Sequence, residues 1–188
     1  AMTPLLVLLG AALCSLTMST EIVPQPGFDL KEAEGKWYLI GFATNSRWHI
    51  NNRDTIKMGI ATLTSTAEGH MHVSYASLNK DGSCSRKKYR ANKTDIPGKF
   101  VFVSKRGGSE NHTIMVEIKY DNFALIYDMK KKKKGAIIKI VRLYSRTDEA
   151  SDEVKEKFRQ LAYRVGTLTE NIFFLPKNVM QKYICDGE

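Results

Sequence analysis

The sequence is poor in cysteine, and its few cysteines have no spacing that supports metal or redox chemistry. Only three occur among the 188 residues, and no two form a Cys-x-x-Cys pair. Their spacing argues against a structural zinc site and against a dithiol redox motif. The four histidines have no metal-ligand spacing, and neither a Gly-x-Ser-x-Gly elbow nor a P-loop is present. The chain therefore offers no motif for hydrolysis, nucleotide binding or metal catalysis, and we expect no cofactor.

No apolar run is long enough to span a bilayer. The longest covers residues 5–16 and is followed by small residues, a pattern typical of a secretory signal peptide. We expect residues 1–19 to be a signal peptide and residues 20–188 to form one secreted, extracellular domain. A buried core helix is the alternative for the apolar run, although the two prolines that soon follow favour a free leader. No internal repeat or domain linker is present.

Acidic residues are fewer than basic ones, so the formal net charge is +9. This excess favours anionic partners such as lipid head groups and acidic metabolites. The basic residues are spread over many predicted strands, which argues against nucleic acid. The one dense run, Lys130 to Lys134, ends at Gly135 and is typical of a solvated hairpin tip.

Alternating apolar and polar residues predict an antiparallel all-β fold. Glycine-containing pairs separate most of the segments and favour tight turns. The linker from Asn45 to Arg53 has no such pair, and we expect it to fold over one end of the sheet. The predicted strands are Trp37–Thr44, Thr55–Ser65, His70–Leu78, Cys84–Ala91, Lys99–Ser104, Thr113–Tyr120, Phe123–Met129 and Ala136–Tyr144.

A single amphipathic helix follows these strands. Apolar residues recur at helical spacing from Val154 to Val165, acidic residues precede them, and Gly166 ends the pattern. A short apolar strand then begins at Ile172. Because one narrow helix cannot cover a sheet of eight strands, the sheet must close on itself. The pattern therefore predicts a closed barrel with one C-terminal helix packed outside.

Residues Gly35-Lys36-Trp37-Tyr38 open the first strand, and Leu143-Tyr144-Ser145-Arg146 ends the last. The indole of Trp37 is large enough to close the floor of a small barrel, and Gly35 lets the chain pass close beneath it. A guanidinium stacked on this indole would join the first and last strands at one end. We expect Gly35, Trp37 and Arg146 to form this structural floor.

These two motifs, together with Tyr120-Asp121 and Ala124, resemble the three signatures of the lipocalin family. The similarity covers residues 28–186 and implies an eight-stranded antiparallel up-and-down barrel, the lipocalin calyx. Two cysteines remain outside the leader, and in a secreted domain they suggest one disulfide; the resemblance likewise implies a Cys84–Cys185 pairing.

Within the family, the sequence is similar to the branch that holds siderocalin, lipocalin-type prostaglandin D synthase and avian extracellular fatty-acid-binding protein. The synthase resemblance implies a catalytic cysteine directly after a methionine. Here Met58 is followed by Gly59, so the chain lacks that nucleophile. We therefore expect a protein that is not an enzyme, and the isomerase is the least favoured alternative.

Side-chain alternation and the resemblance together nominate the residues of a ligand cavity. Alternation places Gly59 and Ala61 inward as small residues that leave room, unless they accommodate a bulky neighbour. The resemblance places Arg142 in the cavity. Cations in such a cavity, Arg142 included, would bind an anion, unless they lie at the rim and reach into water. The candidate ligand-binding residues are Lys87, Tyr89, Lys130, Arg142, Tyr144, Tyr75, Gly59 and Ala61, with Trp48 and His49 as a possible lid.

We expect a secreted, monomeric carrier of a small hydrophobic and acidic ligand: a fatty acid, lysophospholipid or retinoid. The alternative is a defence protein that sequesters an anionic ferric siderophore through the same cations. A cell-surface receptor is a further candidate partner; nucleic acid and stable membrane insertion are not expected. Asn92 and Asn111 begin glycosylation sequons, which matter only if the chain is secreted.

Overall fold

The computed structural model describes residues 21–104, 108–132, 135–177 and Cys185. The expected signal peptide, residues 1–19, lies outside this part of the chain. Two α-helices are described, α1 (Arg47–Asn51) and α2 (Asp152–Arg164), and neither is long and apolar enough to cross a membrane. The described strands are β1 (Gly35–Thr44), β2 (Ile60–Ser65), β3 (Met71–Leu78), β4 (Cys84–Lys93), β5 (Lys99–Val103), β6 (Glu110–Lys119), β7 (Phe123–Lys131), β8 (Ile137–Ser145) and β9 (Ile172–Phe174).

Strands β1 to β8 form a closed antiparallel barrel, which confirms the predicted fold. Neighbours in sequence pair from β2 through β8, and β8 then pairs with β1. The far edge of β1 is shared between two partners: Gly35–Tyr38 pairs with β2 and closes the barrel, whereas Gly41–Ala43 pairs with β9. Because every loop joins adjacent strands, the loops lie alternately at an open and a closed end of the barrel.

Strand β9 reaches the barrel because residue 41 has no side chain. A Cβ at Gly41 would lie 2.9 Å from the Phe173 carbonyl oxygen and 3.2 Å from the Phe158 ring. Helix α2 packs outside the barrel through Val154, Phe158, Leu161 and Ala162, all of them buried. Its N-terminus is capped by the Ser151 hydroxyl, which accepts a hydrogen bond from the Val154 amide at 3.3 Å.

The linker between β1 and β2 is more ordered than the sequence indicated. Helix α1 and a 3-10 helix, Arg53–Thr55, occupy most of it, so β2 begins at Ile60 and not at Thr55 as predicted. Short-range hydrogen bonds stabilise this path: the Thr55 amide donates to the Asn52 carbonyl, and the Asn52 side chain donates to the Trp48 carbonyl. The linker lies over the open end.

The closed end is held by Trp37 and Arg146. The guanidinium carbon lies 3.7 Å from the centre of the indole, and the indole nitrogen donates to the Ala33 carbonyl at 2.9 Å. Arg146 also donates to backbone carbonyls of two other segments: Tyr120 (2.7 Å) in one, and Glu34 (2.8 Å) and Lys36 (3.0 Å) at the start of β1 in the other. One side chain therefore joins three chain segments beneath the barrel.

A disulfide joins Cys84 at the start of β4 to Cys185, 101 residues further along the chain. It confirms the expected Cys84–Cys185 pairing and ties Cys185 to the open end of the barrel. A cross-link that closes so long a loop restricts the unfolded chain strongly.

Candidate ligand-binding site

A cavity of about 650 Å³ opens at the end of the barrel opposite Trp37. Strands β1, β3, β4 and β8 supply its walls, and helix α1 with the following residues supplies its rim. The walls combine aliphatic and aromatic surface with a few polar groups, the composition usual for a small-molecule site. The lining residues used below are Phe42, Trp48, His49, Tyr75, Lys87, Tyr89, Arg142 and Tyr144.

Below this cavity the barrel is nearly filled. The space that remains near the floor is about 30 Å³, enough for one or two water molecules, and it lies among apolar side chains such as Leu63, Met71 and Met115. Arg142, Tyr89 and Tyr144 contact both spaces, so they form a polar waist between the open cavity and the floor. A ligand entering from the open end reaches these three side chains before the apolar floor.

The waist has its own counter-ion. Nη1 of Arg142 lies 3.0 Å from Oδ2 of Asp128, and the Thr113 hydroxyl donates to Oδ1 of the same carboxylate at 2.6 Å. Strand register explains the cluster, since Asp128 stands directly opposite Thr113 and two positions beyond the partner of Arg142. The charge of Arg142 is therefore already neutralised before any ligand binds.

The environment keeps the ion pair charged and the tyrosines neutral. Burial alone would lower the pKa of Arg142, but the neighbouring Asp128 carboxylate and the tyrosine oxygens outweigh it and raise that pKa. Burial raises the pKa of Tyr75, Tyr89 and Tyr144. At neutral pH the waist thus presents one balanced ion pair and phenol hydroxyls.

Five of the eight candidate residues line the open cavity. They are Tyr75, Lys87, Tyr89, Arg142 and Tyr144. Ala61 lines the small space above the floor instead. Lys87 is exposed at the rim, whereas Arg142 retains 30% of its side-chain surface and presents it to the cavity.

Lys130 does not line the cavity. It is half-buried near the end of β7, opposite Asn111 of β6, and it is close enough to His49 to lower the pKa of that imidazole. Its position fits the rim interpretation better than the interpretation as a cavity wall.

Gly59 does not line the cavity either, because Tyr75 fills the space next to it. A Cβ at Gly59 would lie 2.0 Å from the Tyr75 hydroxyl oxygen and 2.2 Å from Cζ. The small residue therefore accommodates a bulky neighbour, which was the alternative to an open wall. The position at which the synthase resemblance implies a thiol is occupied by the Tyr75 phenol.

We expect Gly59→Ala to destabilise the fold by about 1–3 kcal/mol, because the new methyl group overlaps the Tyr75 ring. The variant Gly59→Ala/Tyr75→Ala removes this overlap. Its free energy of unfolding should therefore be higher than the value expected from adding the effects of the two single substitutions. Urea unfolding of the parent, both single variants and the pair measures this coupling; strictly additive effects would contradict the placement of Tyr75.

Asp128 and Thr113 are the site residues that reasoning from the sequence missed. Asp128 is a lone carboxylate in the strand Phe123–Lys131, whose other inward residues include Ala124 and Ile126. Alternation from these two residues would have placed it inside the barrel, on the strand next to Arg142. A charge on the apolar face of a strand is the signal that was available.

Helix α1 brings His49 to the open cavity. Its ring lies 6.2 Å from Phe42 and 5.0 Å from Trp48, and its buried Nδ1 has no hydrogen-bond partner among the described residues. Burial lowers the pKa of His49, and the positive charges of Arg142, Lys130 and Lys87 lower it further. The imidazole is therefore neutral at physiological pH, beneath a rim that already carries cations.

The depressed pKa of His49 predicts a pH dependence with a defined sign. Below about pH 6.5 the unfolded chain binds a proton that the folded, ligand-free protein resists, so stability falls as the pH decreases. A bound anion offsets the charge of the cations and so restores proton binding to His49. The affinity for the anion therefore rises as the pH falls. An alkylsulfonate, which stays ionised, should therefore bind a few times more tightly at about pH 5.5 than at about pH 7.5. Calorimetric titration measures the difference; an unchanged difference in His49→Gln would contradict the assignment.

The two sequons lie in different environments. Asn92 is exposed on β4. The side-chain amide of Asn111 instead donates to the carbonyls of Phe102 (3.1 Å) and Ser109 (3.3 Å), and Thr113 of its sequon faces the waist. Of the two, Asn92 has the side chain open to a glycan.

Among the described residues no group of three or more His, Cys, Asp or Glu side chains could hold a metal ion.

The family model of the lipocalin / cytosolic fatty-acid-binding proteins matches residues 34–179. The chain belongs to this family. A lipocalin from Rhinella marina is 35% identical to it over 166 residues, which cover 88% of this chain and 90% of that protein. A prostaglandin-H2 D-isomerase from Felis catus is 31% identical over 173 residues, which cover 92% and 90%. Both proteins thus align with this lipocalin over nearly their whole length.

Two solved structures are similar to this lipocalin. The siderocalin Ex-FABP, described as functioning through dual ligand specificities, superposes with a TM-score of 0.68 at 28% identity and covers 79% of this chain and 96% of its own. Lipocalin 12 from rat epididymis has a TM-score of 0.74 at 20% identity, with coverages of 82% and 88%, and shows the fold alone. The family binds small hydrophobic ligands, and its members here include proteins named as an enzyme and as a siderocalin.

Proposed function

We propose that this lipocalin is a secreted carrier that binds a small hydrophobic, acidic ligand in its open cavity without changing it chemically. The observation that carries the proposal is a cavity of about 650 Å³ with apolar walls, polar groups at its waist and cations at its rim. This volume lies within the range of small-molecule sites, about 300–1,000 Å³. Fatty acids, lysophospholipids and retinoids combine a long apolar part with a polar or acidic head and match this arrangement.

The charges favour an orientation with the acidic head outward. Arg142 is paired with Asp128, so the unbalanced positive charge of the site lies higher, at Lys87 and Lys130. A carboxylate at this level gains Coulomb attraction while remaining partly hydrated, which avoids the full desolvation cost of a buried charge. The apolar part then lies along Phe42, with its far end near the waist.

Native mass spectrometry of the protein exposed to a serum lipid extract tests this proposal. We expect one ligand per chain and enrichment of long-chain acids over neutral lipids. Exclusive retention of neutral lipids would contradict the proposed orientation.

Isomerase activity is the least favoured alternative, although relatives named prostaglandin-H2 D-isomerase are about 31% identical. We infer that this chain does not share that activity. Met58 is followed by Gly59, the Tyr75 phenol fills the adjacent space, and Cys84 and Cys185 are joined to each other. Without a thiolate at the cavity, the nucleophile of a thiol-dependent isomerisation is absent from the described site. Glutathione-dependent turnover of prostaglandin H2 by the purified protein would contradict this inference.

Siderophore sequestration is the second candidate, favoured by the 28% identity to the siderocalin Ex-FABP. Lys87, Arg142 and the aromatic side chains of the open cavity offer charge and cation–π contacts to a ferric catecholate. The internal ion pair reduces the positive charge available for a highly charged complex, so we rank this candidate below the lipid carrier.

We further propose that the protein is secreted and monomeric, that a cell-surface receptor recognises it and that Asn92 is glycosylated. The disulfide and the exposed sequon on β4 support an extracellular protein. Expression in a secreting cell line, with and without glycosidase treatment, checks secretion and glycosylation together. We expect a secreted protein whose glycan is lost in Asn92→Gln and retained in Asn111→Gln.

A further inference from the structure

Exposed apolar side chains flank the mouth of the cavity. Trp48 on α1 is 64% exposed, and Ile137, the first residue of β8, is 49% exposed. The two segments are joined by Asn45, whose side chain donates to the Ile137 carbonyl at 3.2 Å and accepts from the Lys139 amide at 2.8 Å. They therefore belong to one side of the rim.

Cations surround these side chains. Lys131 stands directly opposite Ile137 in the hairpin between β7 and β8, and Lys132 follows it; both are exposed. Arg47 is exposed next to Trp48 on α1, and Lys80 is exposed on the turn between β3 and β4. We call Trp48, Ile137, Arg47, Lys80, Lys131 and Lys132 the mouth surface.

Carboxylates at the described part of the open end are few, and three of them are already engaged. Asp54 contacts Arg53, Asp81 accepts hydrogen bonds from the Ser83 amide and hydroxyl, and Glu110 contacts His112. At the closed end carboxylates are more numerous. They include Asp29, Glu32, Glu34, Glu68, Asp95, Asp121, Asp148 and Glu149. Acidic residues are therefore concentrated away from the cavity mouth, so the positive charge of the mouth surface is less compensated by neighbouring carboxylates.

We propose that the mouth surface docks this lipocalin onto an anionic lipid bilayer, with the cavity facing the membrane. Exposed tryptophan partitions into the headgroup region of a bilayer, and nearby lysines and arginines are attracted to anionic headgroups. Both features coincide here with the entrance through which a lipid ligand passes. Docking is peripheral and reversible. It gives a role to the net charge of +9, which the cavity alone does not explain.

The test is co-sedimentation of the full chain with vesicles of phosphatidylcholine alone or mixed with phosphatidylserine. We expect binding to the mixed vesicles only, with a blue shift of tryptophan emission and release at high salt. Trp48→Phe should remove the shift, because Trp37 is buried at the far end. Lys131→Gln/Lys132→Gln should lower the partition coefficient about tenfold or more, since each cation near an anionic surface contributes about fivefold.

The matched control is Lys31→Gln/Lys119→Gln, which removes two exposed lysines from the closed end. It should bind vesicles as the parent does. If both double variants lost vesicle binding equally, docking would depend only on the overall charge of the protein, and the proposal would be overturned. Equal binding to both vesicle types, or binding to neither, would also overturn it. None of these four lysines lines the cavity. Oleate affinity in solution, measured on the same variants, therefore tests the carrier proposal separately from docking.

Discussion

The variant Asp128→Asn is expected to bind a long-chain carboxylate roughly ten to a hundred times more tightly than the parent protein. Asparagine keeps the shape of the side chain and can still accept from the Thr113 hydroxyl, but it removes the charge that neutralises Arg142. The unpaired guanidinium should lower the stability of the ligand-free protein by about 2–4 kcal/mol. In this variant the favoured orientation reverses: a ligand that turns its carboxylate toward the waist restores the ion pair and regains part of that free energy.

Paired ligands separate this effect from general changes in the cavity. We expect the gain for oleate and no comparable gain for oleyl alcohol, measured by calorimetric titration of both. In Asp128→Asn/Arg142→Gln the gain should disappear, because no uncompensated cation remains. Asp121→Asn, at the closed end, serves as the matched control and should bind both ligands as the parent does. A similar gain for acid and alcohol in Asp128→Asn would show that Asp128 does not govern ligand charge.

Arg146→Ala is expected to lower the free energy of unfolding by about 3 kcal/mol. The variant loses the stacking on Trp37 and the charged donors to the carbonyls of Tyr120, Lys36 and Glu34, groups that then lose their partners. Arg146→Lys should recover only part of this loss, since a compact ammonium group lacks the planar spread of donors that reaches these separate carbonyls and the flat face that stacks on Trp37.

Lys119→Ala is the matched control at the same end, because Lys119 is exposed; its effect should stay within about 0.5 kcal/mol. Urea unfolding measures all three variants. The folded fraction of Arg146→Ala should bind oleate with parental affinity, since the cavity opens at the other end. A stability loss no larger than that of Lys119→Ala would contradict the role of the floor.

Alternation and turn residues were enough to predict the barrel, because an antiparallel sheet with one buried face repeats every second residue. The helix after the barrel followed from its apolar spacing in the same way. The linker between β1 and β2 was misjudged at Thr55 because its stability comes from local hydrogen bonds, such as that from the Asn52 side chain to Trp48, which leave no apolar period.

The site was harder to predict than the fold. Alternation indicates which way Gly59 faces, but only the packed structure reveals that Tyr75 fills the adjacent space. The cations were nominated through the resemblance to known lipocalins and through strand alternation, whereas the Asp128 counter-ion was overlooked in a strand dominated by apolar residues. That omission matters physically, since a paired Arg142 attracts an anion far less than an unpaired one.

The most direct test of the carrier proposal is quenching of tryptophan fluorescence by three ligands: oleate, retinol and ferric enterobactin. Trp48 and Tyr89 lie at the open cavity, so a ligand bound there alters the emission. We predict saturable quenching by the lipids at submicromolar concentration, with oleate displaced by other long-chain acids. Submicromolar quenching by the ferric complex alone would contradict the proposal and establish the siderophore alternative.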